Sequence, residues 1–208
     1  VFSFHPVKII TTGEGGMATT NNRNIMRKLK LFRSHGITKE KKYFKSFETP
    51  SWQYEQHLLG FNYRMSDIAA ALGNSQLKKL DGFIKKRNHL TKVYYNLLKD
   101  LPITFQEVPK DTTSSFHLFI IRILNSKKKK NLRDKLFLYL RSKNIYVNLH
   151  YPPIHLQPYY KSLGFNKGMF PESEAYSKEA ISLPLHVDLS KKDQLKVINH
   201  LYKFFNEN

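Results

Sequence analysis

The sequence predicts an α/β protein in two parts, the end of one α/β domain followed by a smaller α+β domain. Three observations carry this. A strand-like apolar run ending in a glycine cluster opens the chain, long stretches of helical periodicity follow, and after Pro109 strand-like and helical runs alternate. The boundary falls within the long helical region of residues 80–110, and we place it so that the parts are residues 1–95 and 96–208.

Taken in order, residues 1–10 read as a strand interrupted by one charge, Lys8, set between Val7 and Ile9-Ile10. Thr11, Thr12 and the loop Gly13-Glu14-Gly15-Gly16 follow, a composition that permits positive φ and close backbone approach. Asn21 and Asn22 can cap a helix whose apolar positions Ile25, Met26, Leu29 and Phe32 repeat at helical spacing and face a core, and Gly36 closes it. Residues 37–57 are polar, with Pro50 as a breaker, and read as a surface excursion. Ser66 opens a long helical pattern through Ile68, Leu72, Leu80, Leu90 and Leu97, with a break near Gly82 and a stop at Pro102.

In the second part, residues 116–124 (FHLFIIRIL) form a strand too apolar to be half exposed. Leu132, Leu136, Phe137 and Leu140 mark a helix capped by Asn131, and Ile145–His150 reads as another strand, ended by Pro152-Pro153. Ser190 with Asp193 resembles a capping box and opens a last helix with Leu195, Ile198, Leu201 and Phe205 on its buried side.

Bulk properties exclude several classes. With 208 residues, 40% hydrophobic and 13% aromatic, the chain is a folded protein rather than a disordered one. No apolar run is long enough to span a bilayer and no signal-peptide pattern opens the chain, so no membrane partner and a cytoplasmic location are expected. Zero cysteines exclude disulfides and thiolate chemistry. The net charge of +19 is spread over dispersed lysines, with one true run at Lys127–Lys130, so nucleic acid ranks low as a partner. His150, His155 and His186 lack the spacing and carboxylate company of a zinc site, and no metal is expected. The chain opens on Val1 inside a strand-like run, which reads as a fragment whose N-terminal part is missing.

Lys8 admits two readings on its residues alone. It is an edge-strand lysine that snorkels to water, or an amine in a dry pocket, freed as a nucleophile for a carbonyl. The glycine loop beside it is neither a Walker loop nor a dinucleotide fingerprint.

Four ordered segments bear on the choice: SFHPVKIITTGEGG at 3–16, GFNYRMSDIAAALGNSQLKKLD at 60–81, NLHYPPIHLQPYY at 148–160 and FPESEAYSKEAISLPLHVDLS at 170–190. Together they resemble the DegT/DnrJ/EryC1/StrS family of sugar aminotransferases, closest to the pseudaminic-acid-pathway enzymes that aminate a UDP-linked 4-keto-6-deoxy sugar. Residues 37–57 match least well. The resemblance implies the aspartate-aminotransferase-like fold type I, with the end of a large pyridoxal phosphate (PLP) domain and a small C-terminal α+β domain. It implies that Lys8 is the catalytic lysine holding PLP, that Ser3 binds the cofactor phosphate, and that Asn62 reaches the cofactor of a second subunit in a homodimer. Arg64, His155, Gln157 and Tyr159 are implied on the substrate side, with glutamate as amino donor. Related sugar dehydratases carry histidine at the anchoring position, and Lys8 argues against that branch. The aspartate that pairs with the pyridine nitrogen precedes the lysine in the family, so this chain alone is expected to be inactive. The alternatives are a non-catalytic PLP-binding regulator of the same family and a basic nucleic-acid-binding module.

Overall fold

A computed structural model of the chain describes residues 1–45, 50, 52–123 and 131–207. Its contacts divide it into two units, Val1–Leu80 and Asp81–Asn208, each described by itself. The division falls earlier than the 95/96 boundary read from the sequence. Leu90, Tyr94 and Leu98, on the helix that crosses that boundary, lie in the core of the second unit.

In the first unit, β1 (Phe2–Ser3) pairs antiparallel with β2 (Gly16–Met17), Ser3 opposite Gly16. The strand expected over residues 1–10 stops at Ser3 and the chain turns from Pro6 onward, because a proline lacks the N–H that a ladder needs. The helix α1 (Arg23–Arg33) starts as expected, with Asn22 Oδ1 accepting from the N–H groups of Asn24 and Ile25 at 2.9 and 3.1 Å. It ends at Gly36, whose φ of 72° lets its N–H return to Leu31 O at 2.7 Å. The excursion beyond is anchored by β3 (Ile37–Thr38) paired antiparallel with β4 (Glu55–Gln56), and Thr38 is buried. The helix α2 (Asp67–Leu77) is capped by Ser66 Oγ, which accepts from Ala69 N–H at 3.3 Å. The apolar stripe of α1 is not core: Ile25, Met26, Leu29 and Phe32 are all exposed, and Leu31 alone on that helix is buried.

The helix α3 (Leu80–Leu98) belongs to the second unit from Asp81 onward. The break before it lies at Lys78-Lys79, not Gly82, which sits inside α3 with open space around it. Three strands follow, β5 (Ile103–Phe105), β6 (Phe119–Ile123) and β7 (Ala180–Leu183), all antiparallel in the order β5-β6-β7. The described part of the 116–124 run becomes strand only from Phe119, with Phe119, Ile121 and Ile123 buried and Ile120 and Arg122 half-buried between them. Leu124 and Lys127–Lys130 lie outside the described residues. Ile145–His150 is not a strand: β5 and β7 occupy both edges of β6, and residues 145–150 reach the sheet by a single bridge, Asn148 to Ser182.

Among the described residues, the α-helices α4 (Leu132–Ser142), α5 (Pro158–Ser162), α6 (Pro171–Glu179) and α7 (Lys191–Glu207) complete the unit. Asn131 precedes α4 in a left-handed conformation, φ 58°, and its side chain makes no cap bond. Ser190 does cap α7, accepting from Asp193 N–H at 3.0 Å while its hydroxyl donates to Asp193 Oδ2 at 2.5 Å. Ile198 and Leu201 are buried as expected, whereas Val197 and Phe204 take the buried places that Leu195 and Phe205 only half fill. Tyr94, Phe119, Leu136, Leu140, Ile181 and Leu201 form the center of one apolar cluster drawn from α3, the sheet, α4 and α7. Polar cross-braces tie its rim: Arg87 Nη1 donates to the carbonyls of Phe116, His117 and Leu185, and Tyr94 Oη donates to Pro184 O at 2.9 Å. Among the described residues no helix is long and apolar enough to cross a membrane.

Candidate active site

Residues 3–16 form a closed loop. The β1–β2 pair shuts its neck, and Phe4 ties both sides together: its N–H donates to Gly15 O at 2.9 Å, and its carbonyl accepts from Thr12 N–H and Thr11 Oγ1, each at 3.0 Å. Thr12 is buried, with its hydroxyl donating to Glu14 O at 2.8 Å. Gly13 has φ 80° and its N–H donates to Thr11 Oγ1. A Cβ on Gly15 would collide with the Thr12 hydroxyl and the Met65 methyl, so glycine is what lets the loop close.

Lys8 stands in the turn of this loop, its N–H donating to His5 O at 2.9 Å. It is therefore on a bend, not in an apolar strand, and it is half-buried rather than held in a dry pocket. Neither Lys8 Nζ nor the Ser3 hydroxyl has a hydrogen-bond or ion-pair partner among the described residues. An apolar cleft of about 340 Å³ lies beside the loop, lined by Phe4, Ile10, Thr12, Met65, Gly73 and Leu77.

The second segment is built on two glycines. Gly36 and Gly60 lie back to back: a Cβ on Gly60 would strike Gly36 N, and one on Gly36 would strike Leu58 O. This contact lays residues 61–63 along the end of α1, where Phe61 and Tyr63 donate to the carbonyls of Phe32 and Arg33 at 2.7 and 2.9 Å. Carbonyls of the last helical turn thereby gain partners. Asn62, bridged to Ser34, presents an exposed side chain whose Oδ1 accepts from Arg64 Nε at 3.1 Å. Asn62 and Arg64 thus act as a pair, and among the described residues Arg64 makes no ion pair with Asp67.

In the second unit, His155 faces inward. Its ring is buried, Nε2 lies 3.0 Å from Glu174 Oε1, and Phe170 packs on it edge to face at 4.9 Å. Glu174 also accepts from Gly168 N–H at 2.6 Å, and these two hydrogen bonds hold its carboxyl below the usual carboxylate range. His155 is accordingly a fastening for the 155–174 segment, while Gln157 and Tyr159 on that segment are exposed. Glu174 escaped the sequence reading because its partner lies 19 residues away. Its one local signal is an acidic residue in the first turn of a helix that starts with Pro171.

The fold of both units recurs in solved aminotransferases. PseC of Helicobacter pylori, an aminotransferase involved in the biosynthesis of pseudoaminic acid, superposes with a TM-score of 0.87 at 32% identity, over 100% of this chain and 53% of that one. The PLP form of the sugar aminotransferase Spr1654 from Streptococcus pneumoniae superposes with a TM-score of 0.84 at 27% identity, over 99% of this chain and 51% of that one. The fold is therefore the PLP-dependent fold type I class. The model of the DegT/DnrJ/EryC1/StrS aminotransferase family matches residues 1–202, and the chain belongs to that family. Among curated relatives, the UDP-4-amino-4,6-dideoxy-N-acetyl-beta-L-altrosamine transaminase of Campylobacter jejuni is 35% identical over 97% of this chain. The chain spans about half the length of the relatives it matches, 51% in that case.

Proposed function

We propose that the chain is part of a PLP-dependent transaminase that moves an amino group from glutamate to a UDP-linked 4-keto-6-deoxy sugar, for surface glycan or pseudaminic acid biosynthesis. The observation that carries this is Lys8, an unpaired and half-buried amine on a hydrogen-bonded bend, in the segment that resembles the family's lysine-bearing one.

The residues present fit such a cofactor. Lys8 offers the amine that binds its aldehyde carbon, Ser3 offers an unpartnered hydroxyl to its phosphate, and the glycines at 13, 15 and 16 allow the close backbone approach an anion needs. When bound, PLP supplies the electron sink for the carbon that gains or loses the amine. Lys8 would anchor the cofactor, and its free amine would take up and return the proton at the substrate carbon. Asn62, held on its glycine platform, serves the site of a second subunit, so the active unit is a homodimer in the cytoplasm. Arg64 steadies Asn62, while Gln157 and Tyr159 contact the sugar nucleotide from the segment that His155 fastens.

The test is borohydride reduction of the complete gene product in the presence of PLP, followed by peptide mass mapping. The expected adduct sits on Lys8 and disappears in Lys8→Ala. An adduct that persists unchanged in Lys8→Ala overturns the reading.

A further inference from the structure

A cleft of about 370 Å³ runs along the flank of α1, between that helix and residues 37–43. Five cations line it, Arg27, Lys30, Arg33, Lys39 and Lys42, against one carboxylate, Glu40. Glu40 is already committed to Lys42 at 3.0 Å. The other four cations have no carboxylate partner among the described residues.

Arg27 marks this as more than a solvated basic face. Its guanidinium lies over the Tyr43 ring, 4.1 Å from the centroid, and its Nη2 is 3.4 Å from His57 Nδ1. An arginine only donates, so His57 Nδ1 accepts and the ring proton sits on Nε2, donating to Glu55 Oε2 at 2.8 Å. The head group is thus gripped on one face and at one end. Its Nε, however, is buried and has no hydrogen-bond partner among the described residues. A buried donor left unmatched is costly, and this unmatched edge sets Arg27 apart from an ordinary solvated surface arginine. The Lys42 hydrogen bond is the main reason the Glu40 carboxyl lies below its usual range, with smaller help from the charges of Lys42, Lys30 and Arg27.

We propose that this cleft binds a diphosphate group, with Arg27, Lys30 and Lys39 as its principal donors. Several cations spread over this volume suit two linked phosphates better than a single small anion, and arginine matches phosphate oxygens in a planar fork. The assignment deepens the proposed function and rests on it for the ligand's source, the diphosphate of a nucleotide-linked sugar. Free inorganic pyrophosphate carries the same chemistry.

The experiment is calorimetric titration of the 208-residue chain with UDP, pyrophosphate and uridine. UDP and pyrophosphate should bind and uridine should not. The double substitution Lys30→Ala/Lys39→Ala, at two exposed side chains that fold does not need, should weaken both at least tenfold, as should Arg27→Gln. A charge-matched control on α7, Lys192→Ala/Lys196→Ala, should stay within twofold. Pyrophosphate binding without UDP binding supports the cleft and assigns it to the free anion. Equal loss in the α7 control, no loss in the cleft variants, binding of uridine alone, or no binding at all overturns the proposal. The adduct at Lys8 and these titrations are separate readouts, so a failed adduct at Lys8 with intact diphosphate binding removes the transaminase reading and keeps the cleft.

Discussion

The two units of this chain are stabilized by different means. In Asp81–Asn208, helices α3, α4 and α7 and the three-stranded sheet close over a continuous apolar core. In Val1–Leu80, Leu31 is the one buried hydrophobic side chain among the described residues. A fully buried aliphatic or aromatic side chain contributes about 1.5–3 kcal/mol, and among the described residues all such side chains but Leu31 belong to the second unit. The first unit carries Lys8, Ser3 and Asn62, and it shapes them with local devices: a carbonyl shared between two threonines, glycines at close approaches, side-chain caps on helices. The geometry of these candidate residues is thus specified by hydrogen bonds and missing Cβ atoms, not by a core.

The widest test of that contrast compares two apolar truncations. Leu136→Ala, in the buried center of α4, should cost about 2–5 kcal/mol in urea unfolding, the range for removing a buried leucine side chain. Phe32→Ala, on a ring that is 43% exposed, should cost less than about 1 kcal/mol. Equal losses would break the comparison and show that the stripe of α1 is covered in solution, which sedimentation of the two variants would then trace to self-association.

A smaller effect should follow from Gly60→Ala. The new Cβ meets only backbone, at Gly36, His35 and Leu31, so no side chain can yield and the 57–63 segment must move. Overpacking of this kind costs about 1–3 kcal/mol. Amide exchange at Phe61 and Tyr63, whose N–H groups pair with the end of α1, should accelerate while the β6 amides stay protected. Unchanged protection at Phe61 and Tyr63 would mean that the glycine contact does not hold Asn62 in place.

What was legible in the sequence follows the same division between local and distant causes. The caps at Asn22, Ser66 and Ser190 were readable because donor and acceptor lie within three residues of each other. The glycine loop after Lys8 was readable from its composition, yet the bend that carries Lys8 was not, since the apolar run outweighed the signal of Pro6. Strand β7 was hidden because its four buried residues directly follow a helix, leaving no turn to announce a strand. The Gly36–Gly60 contact, the His155–Glu174 pair and the grip on Arg27 by Tyr43 and His57 all join residues 16 or more apart, and no periodicity encodes them. Asn62 was singled out through resemblance alone, and the contacts that hold its backbone are visible only in three dimensions.

The finest test concerns two carboxylates displaced in the same direction in different surroundings. Glu174 in the second unit lies below its usual range chiefly through the His155 hydrogen bond, and Glu40 in the first chiefly through Lys42. A carboxyl whose folded value is depressed stabilizes the fold above its ordinary range, and that contribution fades as pH falls through the lowered value. Glu174 is buried with its partner, while Glu40 and Lys42 are exposed and screened by water. Lowering the pH from about 6 to about 3, across the carboxylate range, should therefore loosen the 155–174 segment first, seen as new proteolytic cuts between Gln157 and Gly168. Glu174→Gln should lower the melting temperature at pH 6 and flatten its acid dependence, whereas Glu40→Gln should change neither. If Glu40→Gln flattened the profile as much, exposed pairs would matter here as much as buried ones, and the contrast between a core-built unit and a locally braced one would lose its electrostatic half.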